Sequence, residues 1–327
     1  MIPKKQAQLL YEIDKNSRKS LSKIAKDLRL SQQALSYMLR KLLHDKIIKS
    51  YTLILDPSKF GLINYLVLIR ISNHKKSVFN KILSYLSSSS SNLTQLYTTI
   101  GKWDVVALFS VPNPSYFNKA FKTILADIGN YVLSYEILNV VVMHKYGLNA
   151  INRTVKEESD IIIGGDREII ELDKDEKRIL EHLSKNPNIS FVKLSTLVNK
   201  NIKTVIRKVK LLMKNKVIKG FTVNLDLNKL NFQHHLLLLR LRGMDKSVER
   251  TFTELCKKIK NINILIKCFG YWDVVMSLIA YDNKDFKKCI DEIKESFGDY
   301  IVDIEIMQVE SVEKFTFVPE TIFKCID

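Results

Sequence analysis

The sequence predicts an α+β protein built from two tandem copies of one unit, each an N-terminal helix-turn-helix domain followed by a ferredoxin-like βαββαβ sandwich. Three observations carry that prediction. Gly101-Lys102-Trp103-Asp104-Val105-Val106 returns as Gly270-Tyr271-Trp272-Asp273-Val274-Val275, 169 positions later, and the only two tryptophans of the chain sit in these copies. Each half opens on three amphipathic helical segments. Each closes on apolar, strand-like runs interrupted by two helical ones.

The repeat extends well beyond the motif. A shift of 170 brings Leu10, Asn16 and Ser20 onto Leu180, Asn186 and Ser190, and Lys46-Ile47-Ile48-Lys49 onto Lys216-Val217-Ile218-Lys219. After a one-residue gap, Gly129-Asn130-Tyr131 matches Gly298-Asp299-Tyr300. A period this long is a whole-domain duplication, not a solenoid. The expected organisation is a helix-turn-helix over 1–55, a sandwich over 60–146, a linker over 147–170, a second helix-turn-helix over 171–225 and a second sandwich over 230–320.

In order, Lys4–Lys15 carries apolar Ala7, Leu10, Tyr11 and Ile13 near helical spacing. Ser20 is a candidate N-cap for a helix over Leu21–Leu28, and Ser31 for a third reaching about Asp45. Only Arg29 and Leu30 separate the last two, the spacing of a DNA-binding helix-turn-helix. Then come a strand at Asn64–Ile71, a helix at Lys75–Leu86, strands at Leu93–Ile100 and Trp103–Val111, a helix at Pro114–Ile128 and a strand at Tyr131–Met143. The second half repeats the order from Phe232–Arg242 to Tyr300–Val309. Ser87–Ser91 reads as a solvated loop, and Ile161-Ile162-Ile163-Gly164-Gly165 as a short apolar anchor in the linker.

Composition bounds the function. Of 327 residues, 46% are hydrophobic and 27% charged, an ordinary globular balance. Cys256, Cys268, Cys289 and Cys325 form no Cys-x-x-Cys pair and lie near no His at zinc spacing, so reduced thiols, no metal and no cofactor are expected. No signal segment is visible and no apolar run of about 18 residues is found, so neither a leader nor a membrane partner is expected. The formal net charge is +17. Lys4–Tyr51 holds twelve Lys and Arg against four acids, and Leu172–Phe221 thirteen against four, which together equal that whole excess. Basic groups confined to two helical modules are what counterion release at a phosphate backbone requires.

The third helix of each module is the candidate reader of double-stranded DNA. The first offers Gln32, Gln33, Ser36, Tyr37, Arg40 and Lys41. Gln pairs with adenine edges and Arg with guanine, while Ser and Lys hold phosphates. The second offers Lys203, Thr204, Arg207, Lys208 and Lys210, rich in point charge and poor in amides, which predicts affinity more than specificity.

Both halves resemble the Lrp/AsnC family of prokaryotic transcription regulators. The residues that carry the resemblance are Ile24-Ala25, Leu30-Ser31, Leu35, Leu42, Ile47-Ile48, Tyr51, Leu55-Asp56, Gly61, Gly101 and Asp104, then Val205, Leu212, Val217-Ile218, Phe221, Leu225-Asp226, Gly270 and Asp273. The resemblance spans nearly the whole chain, twice. It implies a cytoplasmic, DNA-associated regulator whose sandwiches form dimers and larger rings and often hold a small-molecule effector such as an amino acid. It further implies at least a homodimer of chains that are each a covalent pseudo-dimer. Departures are Met38 where the family has Arg, partly restored by Lys208, and Lys46 and Lys216 where it has a Gly suited to a left-handed helix end. Asn199 in place of Arg29 tolerates that conformation better, and Lys200 replaces Leu30.

In the repeated stretch, Gly101 and Gly270 permit a tight turn, and Trp103 and Trp272 read as packing. Asp104 and Asp273 admit two readings: caps for nearby backbone N–H groups, or, as the resemblance implies, the border of an effector pocket together with the two glycines. No catalytic signature is readable. Two alternatives stand. One is a non-specific architectural DNA binder. The other is a siroheme decarboxylase-like enzyme, which the same resemblance permits and for which the chain offers His234, His235, Arg240 and Arg242. Adjacent on a strand, the two histidines would face opposite sides, against a shared metal. His44, His74, His144 and His182 are scattered.

Overall fold

The computed structural model describes residues 2–72, 75–89, 91–154 and 159–323; His74, Ser90, Lys156, Glu157, Glu158 and Cys325 lie outside the described residues. The first half runs α1 (Lys4–Lys15), α2 (Leu21–Leu28), α3 (Gln32–His44), β1 (Ile48–Leu55), β2 (Ile63–Ile71), α4 (Lys76–Ser89), β3 (Leu93–Ile100), β4 (Val105–Val111), α5 (Pro114–Ile128) and β5 (Val132–Tyr146). After β6 (Asp160–Gly164) the second half repeats it: α6 (Lys174–Lys185), α7 (Phe191–Leu197), α8 (Ile202–Lys214), β7 (Ile218–Leu225), β8 (Gln233–Leu241), α9 (Lys246–Lys258), β9 (Ile262–Phe269), β10 (Val274–Ala280), α10 (Asn283–Phe297) and β11 (Ile301–Phe315).

The caps fall where the sequence puts them. Ser20 Oγ accepts from the Lys23 N–H at 3.3 Å and Ser31 Oγ from the Ala34 N–H at 3.1 Å. Arg29 and Asn199 take left-handed φ of 52° and 51° between the second and third helices, and Lys46 and Lys216 take 52° and 58° after the third. One expectation is corrected. Ser87–Ser89 belong to α4 instead of a loop, with the Ser88 hydroxyl donating back to the Ser84 carbonyl at 2.7 Å. The apolar anchor of the linker over 147–170 is strand β6, paired along the end of β5 from Met143↔Ile163 to Tyr146↔Asp160.

The two sandwiches form one body. β3, β4, β2 and the first part of β5 make one antiparallel sheet; β9, β10, β8 and the first part of β11 make the other. The long strands then cross over. The end of β5 pairs with β9 and the end of β11 pairs with β3, so the eight strands close on themselves. Closure leaves few open edges. Leu66, Leu68 and Trp103 of one sheet meet Leu236, Leu238 and Trp272 of the other in a shared core. α4 and α5 cover the outer face of the first sheet, α9 and α10 that of the second.

The helical modules exchange strands as well. β1 and β7 pair antiparallel as a two-stranded sheet. Leu53 and Leu55 of β1 sit in the core of the second module, and Val223 and Leu225 of β7 in that of the first. Neither three-helix module completes its core from its own half.

Candidate nucleic-acid interface

Burial decides which face of each third helix is available. In α3, Leu35 and Leu42 are buried, while Gln32, Gln33, Tyr37, Arg40 and Lys41 are exposed and Ser36 is half-buried. Tyr37 keeps 66% of its surface open to solvent, large for an aromatic ring. In α8, Val205, Val209 and Leu212 point inward; Lys203, Arg207 and Lys210 are exposed, and Thr204 and Lys208 are half-buried. The helical period thus gathers most of the candidate readers on solvent-facing surfaces.

Lys208 stands apart. Its ammonium pairs with Asp173, the N-cap of α6, and against a burial that raises it this contact holds the Asp173 carboxyl below its ordinary range. Lys200 is likewise paired with Asp175 at 3.0 Å. At the position of Lys208 the first module has Met38, packed against its module's core. The position at which the resemblance expects Arg therefore makes an internal contact in both modules, ionic in one and apolar in the other.

The repeated stretch has a structural role that the turn alone does not convey. Asp104 Oδ2 accepts from the Ile71 N–H at the end of β2 at 2.7 Å, and Asp273 Oδ2 from the Leu241 N–H at the end of β8 at 2.7 Å. Gly101 and Gly270 both adopt φ 151°. A Cβ on Gly101 would stand 3.2 Å from the Ile306 carbonyl oxygen of β11, and one on Gly270 would stand 2.6 Å from Leu138 Cδ2 of β5. Each hairpin therefore lies against the long strand of the opposite half. Trp103 and Trp272 are buried in the shared core. Asp273 also borders a cavity of about 540 Å³ with Arg242, Lys267 and Phe269.

Sequence reasoning missed the groups that tie the helical modules to the barrel. Asp14 of α1 is buried, bonded to Lys145 Nζ at 3.0 Å, Thr222 Oγ1 at 2.6 Å and the Leu148 N–H at 3.2 Å. Asp56 after β1 is buried too, accepting from the Gly164 N–H at 2.9 Å beside Lys219 Nζ at 3.1 Å. The pseudo-symmetric pair, Asp226 and Lys49, is looser, at 3.9 Å. Separations of over a hundred residues leave no local signal for such pairs.

His234 and His235 do face opposite sides. His234 Nε2 lies 2.7 Å from Ser277 Oγ inside the barrel, while His235 stacks on Phe286 of α10. Enclosure, then the neighbouring His235, pushes the His234 imidazole down to about 4. Arg240 lies over the Tyr271 ring. The four residues offered for a decarboxylase do not converge.

The winged helix-turn-helix DNA-binding family matches residues 172–219. An uncharacterized HTH-type transcriptional regulator of Pyrococcus furiosus is 27% identical over 148 residues, which are 44% of this chain and 96% of the relative. A counterpart in Pyrococcus abyssi is 24% identical over 148 residues, 45% of this chain and 98% of the relative. Single-unit relatives matched almost end to end by less than half of this chain are what a duplication produces. Among solved structures, the siroheme decarboxylase NirDL covers 98% of this chain and 97% of its own, with a TM-score of 0.62 and 12% identity, a likeness of fold.

Proposed function

We propose that this chain, an Lrp/AsnC-type regulator whose unit is duplicated in tandem, binds double-stranded DNA in a sequence-specific way and controls transcription. The observation that supports it most is the confinement of the entire +17 excess to two winged modules whose third helices face solvent. α3, through Gln32, Gln33 and Arg40, reads bases; Ser36, Tyr37 and Lys41 position it. α8, through Lys203, Thr204, Arg207 and Lys210, contributes mainly phosphate contacts, with Lys208 held back by Asp173. Unlike readers call for an imperfect palindrome or two unlike half-sites. A small effector such as an amino acid, held beside Gly270 and Asp273 in the adjoining cavity, modulates binding; Gly101 and Asp104 are the corresponding positions of the first half. Chains associate at least in pairs through the outer barrel, where Ile100 and Phe269 expose 61% and 72% of their surface.

The test is selection of binding sites from random DNA at two salt concentrations, followed by Gln33→Ala and Arg207→Ala. Gln33→Ala should lose about 1–3 kcal/mol of discrimination at one position. Arg207→Ala should weaken all sites alike and lower the salt slope by about 1. Affinity that barely changes with salt would refute the phosphate contacts, and a specificity ratio near unity would leave an architectural binder. The decarboxylase is the second reading, favoured by the whole-chain likeness of fold. A Soret band retained by purified protein after mixing with siroheme and desalting would revive it, and release of CO2 from the bound siroheme would establish it.

A further inference from the structure

The ends of the two long strands, β5 and β11, differ in what lies beside them among the described residues. In the first half, β6 runs along the end of β5 and buries Ile163 in the shared core, with Gly164 bonded to Asp56. The corresponding edge of β11, Ser311–Phe315, has no such strand among the described residues. Two adjoining hollows lie there instead. The inner one, about 70 Å³, is lined by Asp14, Lys145, Tyr97, Asn263 and Ser277; the outer one, about 170 Å³, by Lys49, Asp226 and Glu310. His234, Leu225, Leu227 and Val312 line both, so the two share a wall.

The inner hollow is chemically unlike its pseudo-symmetric counterpart. There, Asn64 and Ser110 stand for His234 and Ile279, and Ser110 Oγ donates to Asn64 Oδ1 at 2.6 Å. Thr94 stands for Asn263 and donates to the Leu108 carbonyl at 3.0 Å. On the hollow's side, Asn263 Oδ1 is buried and has no hydrogen-bond partner among the described residues. A buried acceptor without a donor costs free energy that a donor in the hollow would recover. The outer hollow carries two carboxylates, Asp226 and Glu310, against one ammonium, Lys49, so its charge favours a cationic visitor. The inner volume is below the ~150 Å³ of an apolar cavity that takes benzene, so the inward end is small.

We propose that this pair of hollows is a binding site for a compact, donor-rich molecule, an amine or primary amide whose N–H groups point inward to Asn263 Oδ1. Its walls come from α1, β7, β8, β9 and β11, so an occupant touches the first winged module, the exchanged strand and the barrel at once. It also lies beside the Asp14–Lys145 pair, whose carboxylate is replaced by Ser184 in the second module. Occupancy therefore acts on the amide-rich reader α3 more than on α8, a consequence that rests on the DNA reading above, whereas the binding itself does not.

The experiment is calorimetric titration of the full chain, without DNA, by glycinamide, ethanolamine and putrescine, with acetate as the anionic control. At least one amine should bind and acetate should not. Asn263→Leu, which keeps the bulk and removes the acceptor, should weaken binding about tenfold, the order expected for one buried hydrogen bond. His234→Phe, which adds bulk to the wall that both hollows share, supplies a second variant should Asn263→Leu fail to fold. Nuclear Overhauser contacts from the bound amine to the Tyr97 ring locate it. Binding by acetate equal to the amines, no binding by any amine, or full affinity in both variants overturns the proposal. DNA binding measured separately without amine shows whether the regulator reading stands whatever this result.

Discussion

Gly270→Ala tests whether the repeated stretch clasps the two halves together. Its φ of 151° lies where side chains are strained, at about 1–3 kcal/mol. The added methyl would also stand 2.6 Å from Leu138 Cδ2 and 3.3 Å from the Ile137 carbonyl oxygen. Leu138 is fully buried in the shared core, so its end cannot swing aside without displacing neighbours, a further ~1–3 kcal/mol. Gly101→Ala shares the backbone cost, but its nearest contacts are 3.2 Å away, a milder overlap. Gly270→Ala should therefore lose about 2–6 kcal/mol and exceed Gly101→Ala by at least about 1 kcal/mol. Urea unfolding followed by tryptophan fluorescence reads both, since Trp103 and Trp272 lie beside the two glycines. In a cycle with Leu138→Ala, the Gly270→Ala penalty should shrink by about 1 kcal/mol or more. A Gly101→Ala loss equal to or larger than that of Gly270→Ala, or no coupling to Leu138, would refute the close-approach reasoning.

Three further outcomes follow from the same geometry. Lys46→Gly and Lys216→Gly should each stabilise the protein by up to about 1 kcal/mol in thermal or urea unfolding, since both lysines sit at φ near 55° where glycine is unstrained. Lys145→Met should cost about 3–5 kcal/mol because it leaves the buried Asp14 carboxylate without its cation, while Asp14→Leu with Lys145→Met should recover much of that loss. The His234 imidazole is pushed down to about 4 from an ordinary 6.5, so the unfolded chain takes up its proton first as pH falls; stability should be complete above 6.5 and decline between 6.5 and about 4, with a shallower decline in His234→Gln.

What the sequence disclosed, and what it hid, divides by range. Helices α1–α3 and α6–α8 were legible because their caps and apolar period are local: Ser20, Ser31 and Ser190 each bond the backbone three residues on. The solvent-facing residues of α3 and α8 were legible for the same reason. β1 and β7 were not, because each is a strand only in the presence of the other, 170 residues away. The last third of β11 went unread for a similar reason: its exposed glutamates, Glu310 and Glu313, break the apolar run, and its partner is β3 of the other half. Asp104 and Asp273 were legible as polar groups at a turn, but which N–H each receives depends on the neighbouring strand. The hollows beside β11 left no trace in the sequence, since their walls are brought together from elements as far apart in the chain as Asp14, Tyr97, His234 and Val312.

The crossed strands have a consequence for how the protein is made. A first half emerging from the ribosome exposes β3 without β11, and α1–α3 without Val223 and Leu225. At about 5–20 residues per second, the roughly 200 residues that must follow β3 take on the order of 10–40 s to appear. Through that interval the nascent chain carries an open sheet edge and an uncovered apolar face, both invitations to mispairing with a neighbouring copy. Folding is thus coupled to the synthesis of β11, and a truncated product lacking β11 would be a substrate for chaperones and proteases, not a smaller version of the same protein.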